Sequence, residues 1–326
     1  MEGQAIIKQA LKAFASAASS RMSQVASTVG ERLSKQTKHL LKAAKRREVA
    51  EAGKDSQLNV YNFRTLMEHP PSDYDYLRFD LNNTCNLRCV YCHSHRSDEV
   101  IDLEQFRDFL HTKVGRVANF QVGCGMEPTM DKRLTDFMLL IADSPAKPVC
   151  DFILQTNGIL LHKHDHGKMQ QASLTRLSVS IDAASPEIQR DLRSGTNLQK
   201  VLRNLAGFIG RCPETSVDFI TTVTRVNIDK VEDLIVLGLD MGVKRFVFRE
   251  VCYYPDNNIV DHSRMPELVL RDGEFRQMKD RVLGRFDGAA QFIFGDNQFL
   301  HTCAKKSLSV SRMEGRALGE IYVGKA

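Results

Sequence analysis

Tyr76-Leu-Arg-Phe-Asp-Leu81 leads directly into Asn82-Asn-Thr-Cys85-Asn-Leu-Arg-Cys89-Val-Tyr-Cys92, and this junction decides how the chain is read. The first half is a short apolar run of the kind that forms a buried strand. The second half gathers three of the eight cysteines within eight residues, spaced by three and two, in the loop at the strand's carboxyl end. Three such thiols can converge on one metal or iron–sulfur cluster but leave a coordination position unsupplied. An open position is what a reactive site needs, whereas a structural site is closed. Zinc with His93 or His95 as fourth ligand is the rival within metal chemistry. Eight cysteines in 326 residues are too sparse for a secreted disulfide scaffold, so a reducing compartment and a cytoplasmic location are expected.

Outward from this junction, short apolar runs alternate with amphipathic stretches. Residues 76–81, 118–122, 150–154, 177–181, 218–223 and 246–251 read as strands, and 103–110, 134–142, 186–192 with 198–209, and 228–241 as helices. Strict alternation predicts an α/β fold of parallel βαβ units with right-handed crossovers. Function in such a sheet gathers at the carboxyl ends of the strands.

Cys85-x3-Cys89-x2-Cys92, with Tyr91 before the last cysteine, resembles the signature of the radical S-adenosylmethionine (SAM) superfamily. The resemblance runs from Tyr76 to Val251. Gly125-Met126-Glu127-Pro128 is similar to the family's Gly-Gly-Glu-Pro segment, which contacts the amino group of SAM. Ser180-Ile181-Asp182 resembles the Ser-x-Asp element near the ribose, and Asn157 and Arg193 fit further positions around the cofactor. The resemblance implies a (β/α)6 partial TIM barrel, with Cys85, Cys89 and Cys92 as ligands of a [4Fe–4S] cluster and Tyr91, Gly125, Met126, Glu127, Asn157, Ser180, Asp182 and Arg193 around S-adenosyl-L-methionine. It further implies an external electron donor such as a flavodoxin or ferredoxin, reductive cleavage of SAM, and abstraction of a hydrogen atom from a peptide, sugar or lipid-linked sugar. Oxidation, epimerisation and bond formation are all open outcomes. The alternative of another class is a non-catalytic metal-binding or SAM-sensing interaction module.

The second glycine of the family segment is Met126 here, which puts the local backbone geometry in question. Glu127 reads as a brace of its loop rather than a base. Cys252, after the sixth strand, is a candidate catalytic hydrogen donor to a substrate radical. His162-Lys-His164-Asp165-His166 carries metal-ligating types, but its spacing reads as a solvated helix start. Cys303 and Gly315 fit the opening of a C-terminal auxiliary-cluster extension, but Glu320 stands where its next cysteine belongs, so the segment resembles a shortened, degenerate version.

The net charge of +5 misleads, because residues 1–50 hold ten Lys/Arg against three Glu, or +7, leaving −2 for the rest. A nucleic-acid partner is therefore not expected. Ile7, Leu11, Phe14, Ala18, Met22, Val25, Val29, Leu33 and Leu40 make one stripe if polar Gln36 is counted as a member, with a mean step of about 3.67 residues, along a nearly straight helix. Such a basic amphipathic helix suits a membrane surface or a protein partner, and its Ser-rich, acid-poor composition also fits a mitochondrial presequence. Lys8 and Lys12 interrupt any secretory apolar region. The chain thus divides into a basic helical segment at 1–60, the partial barrel at 61–255 and a small extension at 256–326.

Overall fold

The structure is a computed structural model that describes residues 59–62, 72–94, 96–123, 125–253, 261–295, 306–311 and 320–325. The N-terminal stripe, His95, Cys124, Cys303 and Gly315 lie outside these residues. Ten strands form one sheet: β1 Asn59–Asn62, β2 Ser72–Phe79, β3 Val114–Val122, β4 Pro148–Thr156, β5 Arg176–Ser180, β6 Ser216–Val223, β7 Arg245–Glu250, β8 Gln291–Gly295, β9 Lys306–Ser311 and β10 Glu320–Lys325, in the order β1-β10-β9-β2-β3-β4-β5-β6-β7-β8. Strands β2 to β8 run parallel and curl into a half-barrel.

The predicted partial barrel is present with two more parallel strands than the six expected, one at each side. Gln291–Gly295, which the division at residue 255 leaves in the extension, pairs with β7 through Phe292↔Phe246 and Phe294↔Phe248. On the other side β9 joins β2 in parallel, and β10 and β1 follow antiparallel.

Alternation along each strand separates two faces. Leu77, Phe120, Phe152, Leu154, Leu177, Phe219 and Phe246 face the helices and are buried. Phe79 stacks on Phe106 and Phe109 of α1, Leu103–Thr112. Burying each such side chain stabilises the fold by about 1.5–3 kcal/mol. Among the described residues the remaining helices are α2 Leu134–Asp143, α3 His166–Gln171, α4 Pro186–Leu192, α5 Leu198–Arg211, α6 Val231–Asp240, α7 Met265–Leu268 and α8 Glu274–Phe286. Their starts follow the sequence: Asp102, Asp165, Ser185 and Asn197 accept the first amides of α1, α3, α4 and α5. The opposite strand face, lining the lumen, is mixed, with Arg78, Gln121, Gln155 and Asp218 among the aliphatic Ile153, Ile220 and Val247.

Candidate functional site

The cysteine loop leaves β2 and is tied down along its length. Arg96 donates to the carbonyls of Cys85 (3.1 Å) and Leu87. Asn157 Nδ2 donates to Asn86 Oδ1 at 2.8 Å, and Cys92 N–H to Cys89 O at 3.0 Å. Arg88 and Cys89 pair antiparallel with Ser194 and Arg193, beyond α4. The three cysteines are half-buried and none is in a disulfide. Burial pushes the Cys85 thiol up, and the Cys89 thiol up to about 12 against the pull of Arg193. Thiols held neutral in this way become thiolates on binding a cation.

Three soft donors on one loop fit a [4Fe–4S] cluster, whose thiolates each take a separate iron. Among the described residues no group of three His, Cys, Asp or Glu is placed to hold a single metal ion. His93 lies on this loop, and burial lowers its pKa.

The Gly125–Pro128 segment follows β3. Asp80 at the exit of β2 accepts from Gly125 N–H at 2.9 Å and Met126 N–H at 3.3 Å. Neither residue has positive φ, so Met126 occupies backbone open to any residue and its departure from the family pattern leaves the loop intact. The conformational demand falls instead on Gly123, at φ 89°, where a Cβ would lie 2.4 Å from Gln155 O. Glu127 is buried and accepts from Thr129 N–H (3.2 Å), the hydroxyls of Thr129 and Thr156, and Asn157 N–H (2.7 Å). Burial raises its pKa and these bonds pull it back. These bonds tie the segment to the end of β4.

Ser180 ends β5, buried. The Asp182 side chain has 0% exposure and is held bidentately by Arg193 at 2.9 and 3.0 Å, with the Tyr91 hydroxyl on Oδ2. The expectation that Asp182 reaches out to a ribose meets a carboxylate already enclosed by protein donors. Arg193 is likewise turned away from solvent; burial opposes its charge, but Asp182 holds its pKa well above the ordinary arginine value.

Below these strand ends the lumen carries charge. Tyr76 Oη donates to Gln121 Oε1 at 2.5 Å, and Gln121 Nε2 to Gln155 Oε1 at 2.9 Å, a polar belt across β2, β3 and β4. The Arg78 guanidinium lies 5.0 Å from the centre of the Tyr76 ring. Burial raises the Tyr76 hydroxyl, while Arg78, Arg249 and Arg176 pull it down, so all three cations are within electrostatic reach of it. At the floor Asp218 lies 3.7 Å from Arg176 and 3.5 Å from Arg245.

Two other sequence candidates separate. Of the His162–His166 run, His164 contacts Thr129 O at 2.9 Å, Asp165 caps α3, and His166 contacts Leu161 O at 3.1 Å. His166 is buried, not solvated, because its ring packs edge-on against Phe208. Cys252 sits past the end of β7, half-buried, its Sγ 3.8 Å from Glu250 O. Residues the sequence reading passed over are Asp80, Asn86 and Arg96. Asp80 and Asn86 flank the cysteines, and polar residues beside a ligand loop were the available signal.

A family model described as the radical SAM superfamily matches residues 80–237. The GTP 3',8-cyclase of Alkaliphilus oremlandii is 30% identical over 183 residues, 53% of this chain and 55% of the relative. That of Nautilia profundicola is 25% identical over 232 residues, 68% and 72% of the two chains. The chain thus spans about half the length of the first of these relatives. Among solved structures, SuiB of Streptococcus suis bound to S-adenosylmethionine matches with a TM-score of 0.54 at 14% identity, covering 72% of this chain and 53% of that one. The enzyme anSMEcpe with bound AdoMet and a peptide matches at 0.52 and 19% identity, covering 69% and 63%. At these identities the two structures speak for the half-barrel fold alone.

Proposed function

Since the chain belongs to the radical SAM superfamily, whose members use a [4Fe–4S] cluster and SAM, we propose that it is an enzyme taking a hydrogen atom from a small anionic substrate seated in the half-barrel lumen. The observation that carries this reading is the meeting of the cysteine loop, Gly125–Pro128, Asn157 and Ser180 at the carboxyl ends of β2, β3, β4 and β5. Cys85, Cys89 and Cys92 would hold the cluster, and Tyr91, Gly125, Met126, Glu127, Asn157 and Ser180 would frame SAM. When bound, the pair supplies reductive cleavage of the sulfonium and a carbon radical able to abstract hydrogen. The protein orients the reactants and keeps water from them.

The lumen supports the substrate class. Arg78, Arg176, Arg245 and Arg249 bring four cations, against Asp151 and Asp218 at the floor, which pair with Arg176 and Arg245. A guanidinium over a hydrogen-bonding belt suits a carboxylate or phosphate. The name GTP 3',8-cyclase borne by the relatives denotes one anionic small molecule, and a phosphorylated sugar or lipid-linked sugar has the same chemistry. Cys252 keeps its proposed role as hydrogen donor, standing past β7 at the same end of the sheet.

Anaerobic reconstitution is expected to give a brown protein that cleaves SAM to 5′-deoxyadenosine when reduced. Retention of that cleavage after replacing all three cysteines with Ala would end the proposal. Zinc without iron or sulfide after anaerobic preparation would favour the non-catalytic module. Substrates deuterated at single carbons identify the position attacked by label entering 5′-deoxyadenosine. Unchanged turnover and product stereochemistry in Cys252→Ala removes that residue from the chemistry.

A further inference from the structure

Asp182 has no acceptor left over for a ligand. Arg193 Nε and Nη2 donate to its two oxygens, the Tyr91 hydroxyl donates to Oδ2, and Thr222 N–H donates to Oδ1 at 2.9 Å. A carboxylate offers about four lone-pair positions, and four donors fill them. Its backbone is fixed as well: Asp182 N–H donates to Gln189 Oε1 at 2.8 Å, and its carbonyl accepts from Asn227 Nδ2 at 2.9 Å.

These donors come from three separate parts of the chain. Tyr91 lies between Cys89 and Cys92 on the cysteine loop, Arg193 follows α4, and Thr222 belongs to β6. The same half of the loop is stitched to the end of α4 by the Cys89↔Arg193 pairing and by Val90 N–H donating to Leu192 O at 3.0 Å. Val90 and Tyr91 pack on an apolar cluster of Leu192, Val251, Met265 and Leu268. The Arg193 guanidinium also lies 5.7 Å from the Tyr91 ring centre.

We infer that Asp182 is a positioning residue, forming with Arg193 a buried latch that holds residues 89–92 in place, and that it does not bind the ribose. The significance of the latch rests on the cluster reading of the cysteines, but its first test needs no metal. Removing one partner of a buried, hydrogen-bonded ion pair strands the other charge. Single replacements are therefore expected to loosen the loop, and removing both charges to loosen it by less than the two singles combined.

Hydrogen exchange on the full-length metal-free chain reads this directly at the Val90 and Cys92 amides, both hydrogen-bonded. Asp182→Asn and Arg193→Gln are each expected to speed exchange there at least tenfold, while amides inside β3 and β4 keep their wild-type rates. The double variant is expected to fall at least threefold short of the product of the singles. Tyr91→Phe, which leaves the ion pair in place, is expected to give a smaller acceleration. In the reconstituted protein, Asp182→Asn is expected to lose iron to a chelator at least threefold faster while binding SAM within threefold of wild type, as read from the SAM-induced change in the reduced cluster's EPR spectrum. Wild-type exchange at Val90 and Cys92 in the singles overturns the latch. A tenfold loss of SAM affinity with the cluster retained restores the ribose role. Should the singles fail to fold, Tyr91→Phe decides, and unchanged exchange in it overturns the proposal. A triple-cysteine variant that still cleaves SAM would defeat the cluster reading and leave the exchange result standing, so the two failures are distinguishable.

Discussion

Gly123→Ala is expected to damage the site severely and Gly125→Ala hardly at all, although Gly125 is the residue that matches the family's glycine. At Gly123 φ is 89°, and an added Cβ would sit 2.4 Å from Gln155 O. Residue 123 has little freedom to move away, since its N–H donates to Phe79 O at 2.8 Å and its carbonyl accepts from Gln121 Nε2 at 2.6 Å. The positive φ costs about 1–2 kcal/mol and the overlap with backbone about 1–3 kcal/mol. The reduced freedom of the unfolded chain returns about 0.4–1 kcal/mol, for a net loss of about 1–5 kcal/mol. At Gly125 φ is not positive, and the nearest atoms would be Ser94 Oγ at 3.3 Å and Asp80 Oδ2 at 3.6 Å. A hydroxyl can rotate aside, so the expected change stays within about 1 kcal/mol either way. The chain has no Trp, so far-UV circular dichroism in urea is the assay. With a slope of about 3 kcal/mol/M, Gly123→Ala should lower the midpoint by about 1 M. Equal midpoints for Gly123→Ala and wild type, or a larger loss in Gly125→Ala, would refute the reasoning.

The floor of the lumen makes stability depend on pH. Burial pushes the Asp218 carboxyl up to about 7 against the pull of Arg176, so between about 4 and 7 the folded chain holds a proton that the unfolded chain has lost. The wild-type urea midpoint minus that of Asp218→Asn is expected to shift against the wild type as pH rises through that window; a constant difference contradicts the assignment. Glu127→Gln exchanges an acceptor for a donor among buried donors and should cost about 1–3 kcal/mol, seen in the same denaturation assay and absent if the carboxylate were not the brace. Titrating the metal-free chain with pyrophosphate by calorimetry is expected to show salt-sensitive binding that falls at least tenfold in Arg78→Met. Equal binding by the variant removes Arg78 from the proposed anion site.

Strand interiors were legible because the helix-facing residues, such as Phe120, Phe152 and Phe246, form apolar runs that the eye follows. Strand starts were less so: β2 begins at Ser72 and β6 at Ser216, polar residue types that interrupt the apolar run. Gln291–Gly295 was visible as a strand, but its partner was not, because pairing with β7 depends on how far α8 carries the chain across the sheet. The cysteine triplet and the strand-end segments were legible from order and spacing. The enclosure of Asp182 was hidden, since its partners at positions 91, 193 and 222 are joined only by folding. The demand at Gly123 was hidden too, because it comes from a neighbouring strand's carbonyl rather than from the segment itself.

Strand β9 pairs with β2, the strand from which the cysteine loop springs. That places the strand leading into the cysteines inside the sheet, with hydrogen-bonded neighbours on both sides. Cutting the chain after residue 305 would turn β2 into a border carrying a row of unpaired amides and carbonyls, a template for another chain's strand. Residues more than two hundred positions beyond the cysteines thus act as a selvedge for the strand that presents them, and self-association is the failure expected of a chain shortened there.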